Sequence, residues 1–122
     1  MKFSIIALLA TVSISIFAQP EIKFNKKVQK NEKVKAGEIL GFAYLFENTG
    51  TEPLIISEVK VTCDCTKPRW PKQPIMPGKS DTINVTVNTS KMIGWQDRTL
   101  EIFSNAKNSQ EKIRFKVMVN NK

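Results

Sequence analysis

Residues 113–119 read Ile113-Arg114-Phe115-Lys116-Val117-Met118-Val119, and residues 83–88 read Ile83-Asn84-Val85-Thr86-Val87-Asn88. Both alternate with a period of two. Successive side chains of a β-strand point to opposite faces, so each run sends its β-branched and aromatic members to one side and the rest to the other. Leu40, Phe42, Tyr44 and Phe46 make a third such row, and Leu100 and Ile102 lie within a run that ends at Ser104-Asn105. These rows are satisfied together only if they face a second sheet across a shared core.

Working outward, seven extended runs are expected, at about 21–28, 39–48, 54–62, 66–73 (weakly), 80–89, 97–104 and 111–119. Turn chemistry separates them: Asn48-Thr49-Gly50 followed by Pro53, Pro77-Gly78, Ile93-Gly94, and Asn105 to Asn108. No window holds helical periodicity for three turns. The fold class expected is all-β, an immunoglobulin-like antiparallel sandwich of about seven strands. Cys63 and Cys65 are too close in sequence to supply the inter-sheet disulfide of antibody domains.

The chain opens with Met1-Lys2, followed by an apolar stretch from Phe3 to Ala18 interrupted only by Ser and Thr. A basic start, a short apolar core and a small residue at the cut are the parts of a signal peptide, and the stretch is shorter than the roughly 20 residues of a membrane span. Residues 1–18 are therefore expected to be removed after Ala18, leaving 19–122 as a single domain with no transmembrane segment. An exported protein of the periplasm, cell surface or medium is implied. Lys2 is the one basic residue of the leader, so the remainder keeps 18 basic against 11 acidic residues, a formal charge of +7. That balance steers association toward a protein or polyanionic partner at the cell envelope, with no specific nucleic acid implied, and a monomer is expected.

Histidine is absent from the chain. Ser-His-Asp and Cys-His catalysis, His-ligated zinc and imidazole acid-base chemistry are thereby excluded. No catalytic residue, cofactor or enzymatic activity is expected. Between Glu21 and Glu38 six lysines (Lys23, Lys26, Lys27, Lys30, Lys33 and Lys35) stand against three glutamates, the charge pattern of an edge protected from sheet-to-sheet aggregation. Asn84-Val85-Thr86 and Asn88-Thr89-Ser90 match the N-glycosylation pattern, which has meaning only in a host that glycosylates.

Chemistry, if there is any, falls between Val61 and Lys79. Pro68, Pro71, Pro74 and Pro77 recur every third residue, the period of a polyproline II helix. A stiff segment of that kind would present Lys67, Arg69, Trp70 and Lys72 for binding, unless Trp70 folds back to cap the sandwich. In an extended strand Cys63 and Cys65 would have Cα atoms about 6.6 Å apart. A disulfide spans at most about 6.8 Å, so bridging them needs a local bend. Three readings of the pair stand: a local disulfide, a copper(I) site with Asp64 or one of Met76, Met92 and Met118 as a further ligand, and thiol-disulfide exchange.

Phe46-Glu47-Asn48-Thr49-Gly50, Pro53-Leu54-Ile55-Ile56, Cys63-Asp64-Cys65-Thr66, Pro74-Ile75-Met76-Pro77-Gly78 and Gly94 together resemble a bacterial family of exported proteins of unknown function, abundant in Bacteroidota. The usual pattern of that family is Cys-Gly-Cys-Thr, with Asp64 here in place of the glycine. The resemblance implies an immunoglobulin-like sandwich related to Hydin-type domains, which are generally thought to bind other proteins. It brings no activity and no catalytic residue.

Overall fold

The computed structural model describes residues 18–120, so the expected leader lies almost wholly outside the described residues. Eight strands follow in order: β1 (Ile22–Phe24), β2 (Val28–Lys35), β3 (Ile39–Asn48), β4 (Ile56–Lys60), β5 (Thr66–Arg69), β6 (Ser80–Asn88), β7 (Gly94–Ser104) and β8 (Gln110–Asn120). They form two four-stranded sheets, a first with order β1-β3-β6-β5 and a second with order β2-β8-β7-β4. All pairings are antiparallel except β2 with β8, which is parallel. The immunoglobulin-like sandwich expected from the alternating rows is the architecture found.

The rows named above make the core. Leu40, Phe42, Tyr44 and Phe46 of β3, Ile83, Val85 and Val87 of β6, Leu100 and Ile102 of β7, and Ile113, Phe115, Val117 and Val119 of β8 are all buried. Phe42 stacks on Phe115 across the sheets at 5.2 Å, where the rings gain more than burial alone supplies. Tyr44 is fully buried, and its hydroxyl donates to the Arg114 carbonyl at 2.8 Å. Burial pushes that phenol well above its ordinary pKa, so it remains a neutral donor.

The first expected run divides in two. Ile22 and Phe24 pair with β3, and the pairing ends where the Asn25 amide donates to the Leu45 carbonyl at 3.0 Å. The next inward position, Lys26, has no apolar side chain to hold it to that core. The chain crosses instead to the second sheet. There the Lys27 carbonyl accepts from the Arg114 amide at 2.7 Å and the Lys27 ammonium pairs with Glu111. The lysine-rich run from Val28 to Lys35 is accordingly an outer strand of the second sheet, as its charge suggests.

A polar anchor fixes the opposite end of β1. Asn48 is fully buried, and its side-chain amide donates to the carbonyls of Glu52 (2.8 Å) and Ile75 (2.9 Å). Its Oδ1 accepts from the amides of Gly50 (3.0 Å) and Glu21 (3.3 Å). Every polar atom of the carboxamide is used, and three distant segments are tied together. Residues 19–21 pass so close to Gly50 that an added Cβ would lie 2.2 Å from the Gln19 carbonyl oxygen. Glycine is required there by close approach of backbone to backbone.

Two substitutions test this anchor by urea denaturation. Asn48→Asp keeps the acceptor but turns a carboxylate oxygen on two carbonyls, and should lower unfolding free energy by roughly 2–4 kcal/mol. Gly50→Ala should cost about 1–3 kcal/mol through displacement of residues 19–21. An Asn48→Asp protein within about 0.5 kcal/mol of the parent would show that the anchor is not structural.

Candidate functional site

Cys63 and Cys65 do not lie in an extended strand. The Thr66 amide donates to the Cys63 carbonyl at 3.2 Å and closes a turn over residues 63–66, which brings the two Cα atoms to 5.2 Å and the sulfurs to disulfide distance. The bend that bridging needs is thus supplied by the turn. Among the described residues no non-glycine residue has positive φ, so Asp64 adopts the turn without the conformational freedom of glycine. Sulfurs joined in this way offer no thiolate pair to copper(I). Met76 lies beside the Pro77-Gly78 turn at the Asn48 end of the sandwich, remote from the cysteines, while Met92 is buried in the core.

The turn feeds β5, the outer strand of the first sheet. Cys65 packs partly against the core, its carbonyl accepts from the Asn88 amide at 2.8 Å, and Thr66 is buried. Alternation then sends Lys67 and Arg69 outward, opposite Thr86 and Asn84 of β6. Pro68 sits between them. Proline is tolerated on an outer strand because it has no N–H to give to a further neighbour, and the Thr66 amide is already spent inside the turn. This margin of the sheet is therefore poor in donors for strand pairing.

Trp70 is half-buried and packs against the core, closing the sandwich beside β5. Its ring carries the Lys72 ammonium at 3.3 Å from the centroid, a cation–π contact. The four residues expected to form one contact surface are thus divided. Lys67 and Arg69 project from the sheet face, whereas Trp70 and Lys72 stack on one another at its margin. The proline repeat is likewise interrupted, since Pro68 belongs to β5 and Ile75 exchanges backbone hydrogen bonds of 2.8 Å with Leu54.

Lys67 and Arg69 border a distinctive face. Across the first sheet the outward side chains form rows: Gly41, Thr86 and Lys67, then Ala43, Asn84 and Arg69, with Ile39 and Leu45 at the two ends of β3. The centre is short and uncharged. Ile39 is 68% exposed and Leu45 47%. A cavity of about 270 Å³ lies at the Ile39 end, lined by Ile39, Asp64, Cys65, Lys67, Asn88 and Lys91 among others. The second sheet presents the opposite character, with Lys112, Arg114 and Lys116 projecting from β8 and Asp97 from β7. Arg114 binds Asp97 through both guanidinium and carboxylate edges and holds that carboxyl below the usual range.

Ile39 and Trp95, the latter 59% exposed opposite Met118, are absent from the sequence-derived candidates. Parity carried the signal. Ile39 is out of phase with Leu40 and Phe42, and Trp95 shares its phase with Asp97 and Thr99 rather than with Leu100 and Ile102.

Intact mass and alkylation test the cysteine turn. The native protein should be lighter by the two hydrogens lost in one disulfide and resist alkylation until reduced. Replacement of both cysteines by serine should cost only roughly 1–2 kcal/mol, because so short a loop loses little entropy on closure. Stoichiometric alkylation of untreated protein would contradict the geometry.

Comparison with known proteins agrees with this fold. A structure described as a protein of unknown function from Porphyromonas gingivalis W83 aligns at a TM-score of 0.72 with 18% identity, over 83% of this chain and 48% of that one. The present chain thus spans about half of that relative's length. PapD-like domain 7 of human CEP192 aligns at a TM-score of 0.61 with 11% identity, over 100% of this chain and 98% of that one. The YadV chaperone aligns at 0.55 with 12% identity, over 84% and 53%. No curated protein matches the chain. Residues 22–119, which contain all the core rows and the cysteine turn, match a single family model, and the chain belongs to that family, the proteins of unknown function designated DUF1573.

Proposed function

We propose that this domain is a non-catalytic binding or assembly module of an exported protein, and that it engages an acidic face of a partner protein through the outer face of its first sheet. One observation carries the reading. Lys67 and Arg69 stand in adjacent rows beside a flat field of Gly41, Ala43, Asn84 and Thr86 that ends in the exposed Ile39 and Leu45. Long charged side chains must be ordered and desolvated before a partner can approach, whereas short uncharged ones cost little to cover. Cations at the border then set orientation and raise the encounter rate with an acidic partner.

Export is supported by the apolar leader and by a cysteine pair at disulfide distance, since disulfides persist in oxidising compartments. The chaperone and PapD-like neighbours, and the motif resemblance to Hydin-type domains, favour a protein partner. The exposed aliphatic residues favour it over a bare polyanion, whose recognition needs charge alone.

Capture of partners from the exported fraction on immobilised protein tests this placement. Joint replacement Lys67→Glu and Arg69→Glu should reduce capture at least about tenfold. Lys112→Glu, on the other sheet, should leave it unchanged. Trp70→Ala should act through stability instead, as loss of a half-buried aromatic. Equal loss from both charge changes, with binding that collapses as salt rises, would identify non-specific polyanion adhesion and overturn the reading.

A further inference from the structure

The early departure of β1 leaves part of the first sheet without a neighbour. On one side β3 pairs with β6 along Ile39 to Glu47, but on the other it pairs with β1 only at Phe46 to Asn48. The Asn25–Leu45 hydrogen bond fixes which residues direct their backbone groups to that side. They are the odd-numbered ones, so Gly41 and Ala43 aim N–H and C=O at an edge with no strand beside it. Among the described residues, the Ala43 carbonyl is the group there that has a partner, and that partner is a side chain: Gln29 Nε2 donates to it at 2.7 Å.

Gln29 lies opposite Phe115 in the β2–β8 register, at a position where an inward apolar residue is expected. Its carboxamide does the work of a missing strand's N–H. A groove of about 310 Å³ adjoins this edge, lined by Asn25, Lys26, Gln29, Lys30, Ala43 and Leu45, and its two charged residues are both lysines. The wall is basic and the floor is Ala43 and Leu45.

We infer that this edge receives an extended acidic segment of a partner protein as an added strand beside β3, which displaces the Gln29 carboxamide from the Ala43 carbonyl, makes main-chain hydrogen bonds to Gly41 and Ala43, and sets its carboxylates against Lys26 and Lys30. The inference deepens the binding-module reading and rests on it. A second copy of this chain is the wrong occupant, because edge-to-edge pairing would bring the same lysines together. Small residues at positions 41 and 43 let a neighbouring strand approach, and Ile39 and Leu45 supply apolar cross-strand contacts at either end. The other margin of the same sheet, with Pro68 and a spent Thr66 amide, lacks these donors.

The probe is a blocked peptide of about seven residues that alternates valine and threonine, with glutamate at both ends, titrated into the nitrogen-15-labelled full domain up to about 1 mM. The amide signals of Gly41 and Ala43 should move, and exchange of both should slow. The same peptide ended in lysine should bind at least about tenfold more weakly. N-methylation of the alternate amides on one strand edge should abolish binding, while methylation of the opposite edge should leave it, because only one edge faces β3. Shifts that survive both methylation patterns, no shift at Gly41 and Ala43 up to that concentration, or concentration-dependent self-association through this edge would each overturn the inference. Should the peptide fail while Lys67→Glu with Arg69→Glu still abolishes partner capture, strand addition falls and the binding-module reading stands.

Discussion

The buried carboxamide of Asn48 governs the arrangement on which the remaining features depend. It ties the backbone of Glu21 to the turn at Gly50 and to the strap at Ile75. With Gly50 admitting residues 19–21 at close range, β1 pairs with β3 only at its last residues, while the Asn108 side chain holds both backbone groups of Ile22 from the other side. From that fixed start the chain pairs with β3 only as far as apolar residues at alternate positions keep it on the core. It then passes to the second sheet, where Lys27 meets Arg114 and Glu111. The open edge at Gly41 and Ala43 is the consequence of where the first strand is anchored and where its apolar pattern stops.

The two faces of the sandwich divide the labour of solubility and contact. β8 and β7 project Lys112, Arg114, Lys116 and Asp97, whose long or ionised side chains keep the second sheet hydrated. The first sheet has its basic charge at the margins, on Lys67 and Arg69 of β5 to one side and Lys23 of β1 to the other, with Glu47 opposite Lys23 at the end of β3. Between them lie Gly41, Ala43, Asn84 and Thr86. A surface built in this way is cheap to dehydrate at its centre and selective at its rim, which is the division of roles seen in protein interfaces generally.

Much of the fold was legible because alternation is a direct projection of burial onto sequence. Every inward residue named for β3, β6 and β8 from its parity is buried. The division of the first run was only partly legible: Lys26 falls in the inward phase of Ile22 and Phe24, which breaks the apolar pattern there, but the pattern does not say that the chain crosses to the other sheet. The cysteine pair shows the same limit from the other side. Period and spacing place two cysteines on one face of a strand, but whether the chain turns there depends on the Thr66–Cys63 hydrogen bond, which no pattern encodes. The sequence groups Trp70 and Lys72 with Lys67 and Arg69 in one segment, whereas the stacking of Lys72 on Trp70 follows from how Trp70 packs against the sandwich. Parity alone marks Ile39 as outward, whereas the vacant edge of β3 depends on topology and was accessible only once β1 and β2 had been assigned to different sheets.

Native-state hydrogen exchange along β3 reads which of its backbone amides have a neighbour. An open edge predicts alternation, with the amides of Leu40, Phe42 and Tyr44, which face β6, strongly protected and those of Gly41 and Ala43 exchanging rapidly in the isolated protein. Uniform protection from Leu40 to Tyr44 would mean that the edge is already covered, and the account of this sheet as an incomplete surface awaiting a partner strand would be wrong.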